Sequence, residues 1–183
     1  KTDKRDAAMI AQCLCYGGYH AVHVPTDKDA SVKEYLRMRD DHKLALKKIK
    51  QQINAFCLRH GYIYDGHKWT IKHLDWLKQL DLSELYRETL NEYMMSYEEQ
   101  TTKIERFDKR IEELAADSDY HENVRKLSCL LGIQTYTALS LIVETGDFKR
   151  FRKGNTYAAF LGLAPGESSS GEKISRTGIT KAG

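Results

Sequence analysis

Two prolines and twelve glycines are all that punctuate these 183 residues. So few breakers exclude a many-stranded sandwich and leave room for long, uninterrupted helices. No apolar run reaches the roughly 20 residues that a membrane-spanning helix needs, and no secretory signal opens the chain. Cysteine is scarce, with only Cys13, Cys15, Cys57 and Cys129. None forms a Cys-x-x-Cys pair, and no histidine pair follows at zinc-finger spacing. Cys13 and Cys15 fall in an apolar helical stretch and read as buried free thiols. A reducing cytoplasm is the compartment this usage predicts. Charge of one sign is also lacking, since the net charge is only +3.

What is present is a soluble, helix-rich balance of 41% hydrophobic and 30% charged residues. The charge is unevenly spread. Residues 31–60 hold eight Lys/Arg against three Asp/Glu, and residues 146–183 hold seven against three, while residues 84–119 are acid-rich. Local basic faces attract phosphate, although a solvated helix face has the same composition.

Periodicity places the elements. Ala7, Ile10, Ala11 and Leu14 step by three and four, which predicts a helix from Asp3 to Tyr16, stopped by Gly17-Gly18. Residues 21–24 are β-prone and end at Pro25. Val32, Leu36, Leu46, Ile49, Ile53 and Phe56 stripe a long helix from Ser31 to Arg59, with Asp27, Asp29 or Ser31 as cap. Residues 62–73 are a connector, and Leu74 to Leu80 a short helix. From Ser83 to about Ala116, Tyr86, Leu90, Tyr93, Tyr97, Gln100, Ile104, Phe107, Ile111 and Leu114 alternate four- and three-residue steps. That spacing predicts a coiled coil or a long helical hairpin. Its partner is the Ser31 to Arg59 helix or a second copy, and Gln100 is the polar seam residue that would fix the pairing. Helices at residues 121–130, 135–144 and 156–161 follow, and residues 165–183 read as loop.

Three constellations carry potential chemistry. Asp3 and Asp6 lie on one face of a helix start, where two carboxylates can share a divalent metal, or simply cap the helix. Gly132 joins two helices in a tight turn that offers backbone N–H groups to a phosphate, or forms an ordinary hairpin. Ser168-Ser169-Ser170-Gly171 places serines in an open loop, either as nucleophile or as linker. Lys173, Arg176 and Lys181 nearby suit a phosphodiester backbone. Lys43 and Lys47, off the apolar stripe of the first long helix, are further candidate nucleic-acid contacts.

In order along the chain, the motifs are Lys1-Thr2-Asp3-x-x-Asp6-Ala7, Gly132-Ile133, Glu144-x-Gly146-Asp147-x-x-x-Phe151, Tyr157-Ala158-Ala159-Phe160-x-Gly162-Leu163-x-Pro165, Ser169-Ser170-Gly171 and Ile179-Thr180-Lys181-Ala182-Gly183. This ordered set resembles the transposases of the insertion sequence 110 family, with its 116 and 902 relatives. The resemblance implies an RNase H-like nuclease domain whose Asp-Glu-Asp-Asp carboxylates bind Mg²⁺, Asp3 and Asp6 matching the last two. It implies a coiled-coil segment that supports dimerisation and nucleic-acid binding, and a C-terminal helical domain whose serine, matched by Ser170, attacks DNA. It also implies a structured RNA from the element that bridges donor and target DNA.

The expectation is therefore a mainly α chain. Residues 1–25 would be the end of an RNase H-like domain, residues 26–120 a helical hairpin or coiled coil, and residues 121–183 a helix-hairpin-helix-like C-terminal domain. The chain opens on Lys1 and stops after Gly183, so it is expected to be a fragment, inactive alone, with the first Asp and the Glu of the metal site upstream. The expected function of the intact protein is DNA cleavage and strand transfer with Mg²⁺. Expected partners are DNA, a guide RNA and a second copy of the chain, with no membrane. The competing reading is a non-catalytic nucleic-acid-binding and dimerisation module.

Overall fold

A computed structural model of the chain describes residues 2–19, 22–167 and 176–179. It is mainly helical, as the composition requires: α1 (Asp3–Tyr16), α2 (Asp27–Arg59), α3 (Ile71–Gln79), α4 (Glu84–Ala115), α5 (His121–Ser128), α6 (Thr135–Thr145) and α7 (Gly154–Phe160). A 3-10 turn (Phe148–Arg150) precedes α7, and β1 (Pro165–Glu167) and β2 (Arg176–Ile179) follow it. The chain divides into two compact units, residues 1–144 and 145–183.

α1 has the expected bounds. Gly17 ends it at φ +63°, a left-handed conformation that a side chain resists, and Gly18 N–H returns to the Cys13 carbonyl at 3.0 Å. Residues 22–24 form no strand, because no second edge pairs with them among the described residues. α2 starts at Asp27, four residues earlier than its apolar stripe suggests. The Thr26 hydroxyl accepts the Asp29 N–H at 3.1 Å, and Asp27 and Asp29 sit at the positive end of the helix dipole. α3 likewise begins at Ile71, where Thr70 caps the His73 N–H at 3.4 Å.

In the first unit α2 and α4 pack antiparallel within the chain. At one end Lys28 pairs with Asp117 at 2.7 Å and Asp119 at 2.6 Å. Midway, His42 meets Gln100. At the far end Phe56 packs edge-on against Tyr93 and Tyr86. The seam of α4 follows the expected alternation, buried at Leu90, Tyr97, Gln100, Ile104, Phe107 and Ile111. Met94 and Ala115 join it, whereas Tyr86 stays 45% exposed.

Two apolar clusters cover opposite ends of this pair. Ile53, Phe56, Leu77, Leu90 and Met94 form one, closed by α3 and the residues before it. Val32, Leu36, Ile111, Ala115, Tyr120, Val124, Ala138, Leu139, Ile142 and Val143 form the other, so α5 and α6 share a core with α2 and α4. The expected domain start at residue 121 thus falls inside the first compact unit.

The stretch between Leu36 and Leu46, where the apolar stripe of α2 lapses, is a polar layer. Arg39 is 7% exposed, donates from Nε to Asp108 at 2.9 Å and lies 4.4 Å over the Tyr136 ring. Tyr136 in turn donates its hydroxyl hydrogen to Asp40. Burial opposes the Arg39 charge, but Asp108 more than offsets it and the pKa is raised. Burial, reinforced by Asp40, pushes the Tyr136 phenol up to about 12. Beside it Gln100 Nε2 donates to the His42 carbonyl at 2.9 Å and faces His42 Nδ1 at 2.6 Å.

The second unit is smaller. Phe148, Phe151, Tyr157 and Phe160 form a ring cluster, and the Thr145 and Tyr157 hydroxyls share a hydrogen bond of 3.1 Å. α7 begins at Gly154, two residues before the expected start. β1 and β2 pair antiparallel, with Pro165 opposite Ile179 and Glu167 opposite Arg176, where the sequence suggested only loop.

Candidate nucleic-acid interface and carboxylate pair

Asp3 and Asp6 occupy the first turn of α1, one exposed and one half-buried. Thr2 is extended at the cap and its carbonyl accepts the N–H of Arg5 at 2.9 Å and of Asp6 at 3.2 Å. The donor chemistry fits Mg²⁺, a hard cation that prefers carboxylate oxygen. The fit is partial: among the described residues no group of three or more His, Cys, Asp or Glu is placed to hold a metal. The pair would be two ligands of a larger set, and no reaction step follows from it alone.

α1 buries none of its residues. Met9, Ile10 and Leu14 are each more than half exposed. Cys13 and Cys15 are exposed as well, which corrects the expectation of buried thiols; the apolar face that should cover them packs against nothing in the described residues. Cys57 is buried in α2, and burial pushes its thiol pKa up.

The hairpin around Gly132 forms as expected. Gly132 takes φ +87°, and a Cβ there would meet nothing within 4 Å, so the backbone angle and not lack of space calls for glycine. Ile133 N–H closes the turn on the Leu130 carbonyl at 3.1 Å. Val124 of α5 and Ala138, Leu139, Ile142 and Val143 of α6 point into the core, while Leu130 and Leu131 stand exposed at the turn. The hairpin is therefore core on one side and open at its tip.

Lys43 and Lys47 are exposed on α2, one helical turn apart, with no ion pair among the described residues. Lys50, the next cation on that face, is engaged instead, 5.2 Å over the Trp69 ring and 5.7 Å over that of Tyr97. Arg176 opens β2. Ser170, Lys173 and Lys181 lie outside the described residues.

Two groups escaped the sequence reading. Arg39 enters composition only as one of the eight Lys/Arg of residues 31–60, though the lapse in the apolar stripe opposite Gln100 signals a buried polar layer. The cations of residues 149–153 were counted only in bulk, though phenylalanines alternate with them.

Comparison with known proteins adds what geometry leaves open. A putative transposase, y4qE, of Sinorhizobium fredii (strain NBRC 101917 / NGR234) is 33% identical over 188 residues, covering 100% of this chain and 44% of the relative. The transposase for insertion sequence element IS1533 of Leptospira borgpetersenii is 32% identical over 84% of this chain and 46% of its own length. The transposase for insertion sequence element IS1111A of Coxiella burnetii (strain RSA 493 / Nine Mile phase I) is 26% identical over 100% of this chain and 50% of its own length. The chain spans about half the length of the curated relatives it matches.

These similarities place the chain among the transposases of insertion sequences. It belongs to the transposase IS116/IS110/IS902 family, whose model matches residues 124–183. That match begins inside α5 and runs across the division between the two compact units.

Proposed function

We propose that the protein acts in transposition, cleaving DNA and transferring strands of an insertion sequence, in the cytoplasm where that DNA lies. The observation that carries the reading is similarity along the whole chain to proteins named as transposases, joined to the family match over residues 124–183. Ser170 is the nucleophile: its oxygen bonds to phosphorus as a strand oxygen leaves, and its proton passes to a base. Asp3 and Asp6 would hold Mg²⁺ together with carboxylates outside the described residues. The ion would neutralise charge at the attacked phosphate.

Gly132, Lys43, Lys47, Lys173, Arg176 and Lys181 are the proposed contacts to nucleic-acid backbone. The partners are DNA, an element-encoded guide RNA and a second copy of the chain. That Lys43 and Lys47 form no ion pair among the described residues supports the assignment of those two.

In the complete reading frame, Ser170→Ala and Asp6→Ala are each expected to abolish excision of the element in a plasmid assay while DNA binding in a gel-shift assay stays near wild type. Excision that survives both substitutions would leave a non-catalytic binding and dimerisation module as the better account.

A further inference from the structure

Between Gly146 and Gly166 the chain carries four cations, Lys149, Arg150, Arg152 and Lys153, and a single acid, Asp147. That acid is already engaged, its Oδ1 accepting the Lys149 backbone N–H at 2.9 Å in the cap of the 3-10 turn. All four cations are exposed, and none forms an ion pair among the described residues. Among the described residues, four cations within five positions are thus offset by no ion pair.

The rings beside it are placed to use that charge. The Arg150 guanidinium lies 4.6 Å from the Phe151 ring centroid and 4.7 Å from that of Phe160. Resting against two rings restricts its rotamers, so its donor fork is held before any ligand arrives. Phe148 packs one side against Tyr157, with centroids 5.7 Å apart, and remains 37% exposed. An aromatic ring that is held by a neighbouring ring and still more than a third exposed, beside cations that form no ion pair among the described residues, suits an unpaired base and its phosphates. A duplex would bring phosphates to the cations but no free base face to Phe148.

We propose that residues 148–153 form a binding site for single-stranded nucleic acid, in which Lys149, Arg152 and Lys153 contact phosphates, Arg150 presents a fixed donor fork, and Phe148 stacks on an unpaired base. The site deepens the transposase reading and rests on it, since strand exchange exposes unpaired nucleotides. All its residues lie in the second compact unit, so it does not depend on how Ser170 meets Asp3 and Asp6.

The test is fluorescence anisotropy of the full 183-residue chain with a labelled 20-nucleotide single strand and the matching duplex across a salt series. The triple variant Lys149→Gln, Arg152→Gln, Lys153→Gln is expected to lower the slope of log affinity against log salt for the single strand by roughly 2. Phe148→Ala is expected to weaken single-strand binding on the order of tenfold and to leave duplex binding unchanged. Phe148→Leu, which keeps an apolar side chain against Tyr157, is expected to weaken it similarly, with circular dichroism confirming the fold. An unchanged slope in the triple variant, or equal losses for single strand and duplex in both Phe148 variants, overturns the proposal. So does capture of anionic phosphatidylserine vesicles by a chain that binds no oligonucleotide. Loss of excision in Ser170→Ala beside an unchanged slope in the triple variant would sink this site and leave the transposase reading standing.

Discussion

Single side chains decide the middle of the long helix pair. Gln100 is 8% exposed and bonds to His42 across the seam. A buried amide that loses its partner costs more than the hydrogen bond is worth in water. Gln100→Ala, which removes the amide and leaves His42 Nδ1 facing a void, is expected to lower stability by about 1–2 kcal/mol in urea denaturation. His73 offers a pH test. It is 2% exposed, and its Nδ1 accepts the Trp69 backbone N–H at 3.2 Å. Burial, aided by the charge of Lys68, holds its pKa below the usual imidazole range. The unfolded chain therefore takes up a proton before the folded one does. Stability from this group is present above about pH 6.5 and is lost as pH falls below it. The melting temperature is expected to drop between roughly pH 7 and 5, and the drop to shrink in His73→Asn, which retains an acceptor but does not titrate.

At the scale of elements, the helices differ in what holds them. α2 and α4 are held by a shared seam, and Ile53 and Leu90 are almost wholly buried in it. Ile53→Ala is expected to cost about 2–5 kcal/mol, as a transfer loss plus a cavity. α1 has no such support among the described residues, so Leu14→Ala in the same chain is expected to change stability by less than about 0.5 kcal/mol. Side-by-side denaturation of the two variants checks this, and a Leu14 effect as large as that of Ile53 would mean that α1 packs after all. The helix starts show why boundaries were harder to read than existence. Thr26 and Thr70 begin α2 and α3 several residues ahead of the first covered apolar position, Val32 in α2 and Leu74 in α3, because a hydroxyl satisfying an orphan N–H sets the start. Periodicity registers only where the helix begins to bury a face.

For the whole molecule, the relation between family match and compact unit has a measurable consequence. The match starts at residue 124, but Val124, Ala138, Leu139, Ile142 and Val143 are covered by Val32 and Leu36 of α2 and by Ile111 and Ala115 of α4. Residues 124–183 expressed alone would expose that apolar face to water. They are expected to aggregate or to show little helical circular dichroism, whereas a piece beginning at residue 26 should be helical and cooperative on melting. A well-folded 124–183 fragment would show that the hairpin does not need the long helices.

By itself the sequence determined the helical class, both ends of α1 and the C-terminal end of α2, the alternating seam of α4, the glycine turn at Gly132 and the family. Each of these depends on local chemistry or on an ordered set of motifs, and neither requires knowing what lies across the interface. Only the tertiary structure decided that α2 is the partner of α4, that Arg39 and Asp108 form a polar layer where the stripe lapses, that α5 and α6 close the same core, and that Cys13 and Cys15 face solvent. Burial is a property of two surfaces at once. A residue's own identity and spacing say that it can be covered, and only the fold says what, if anything, covers it.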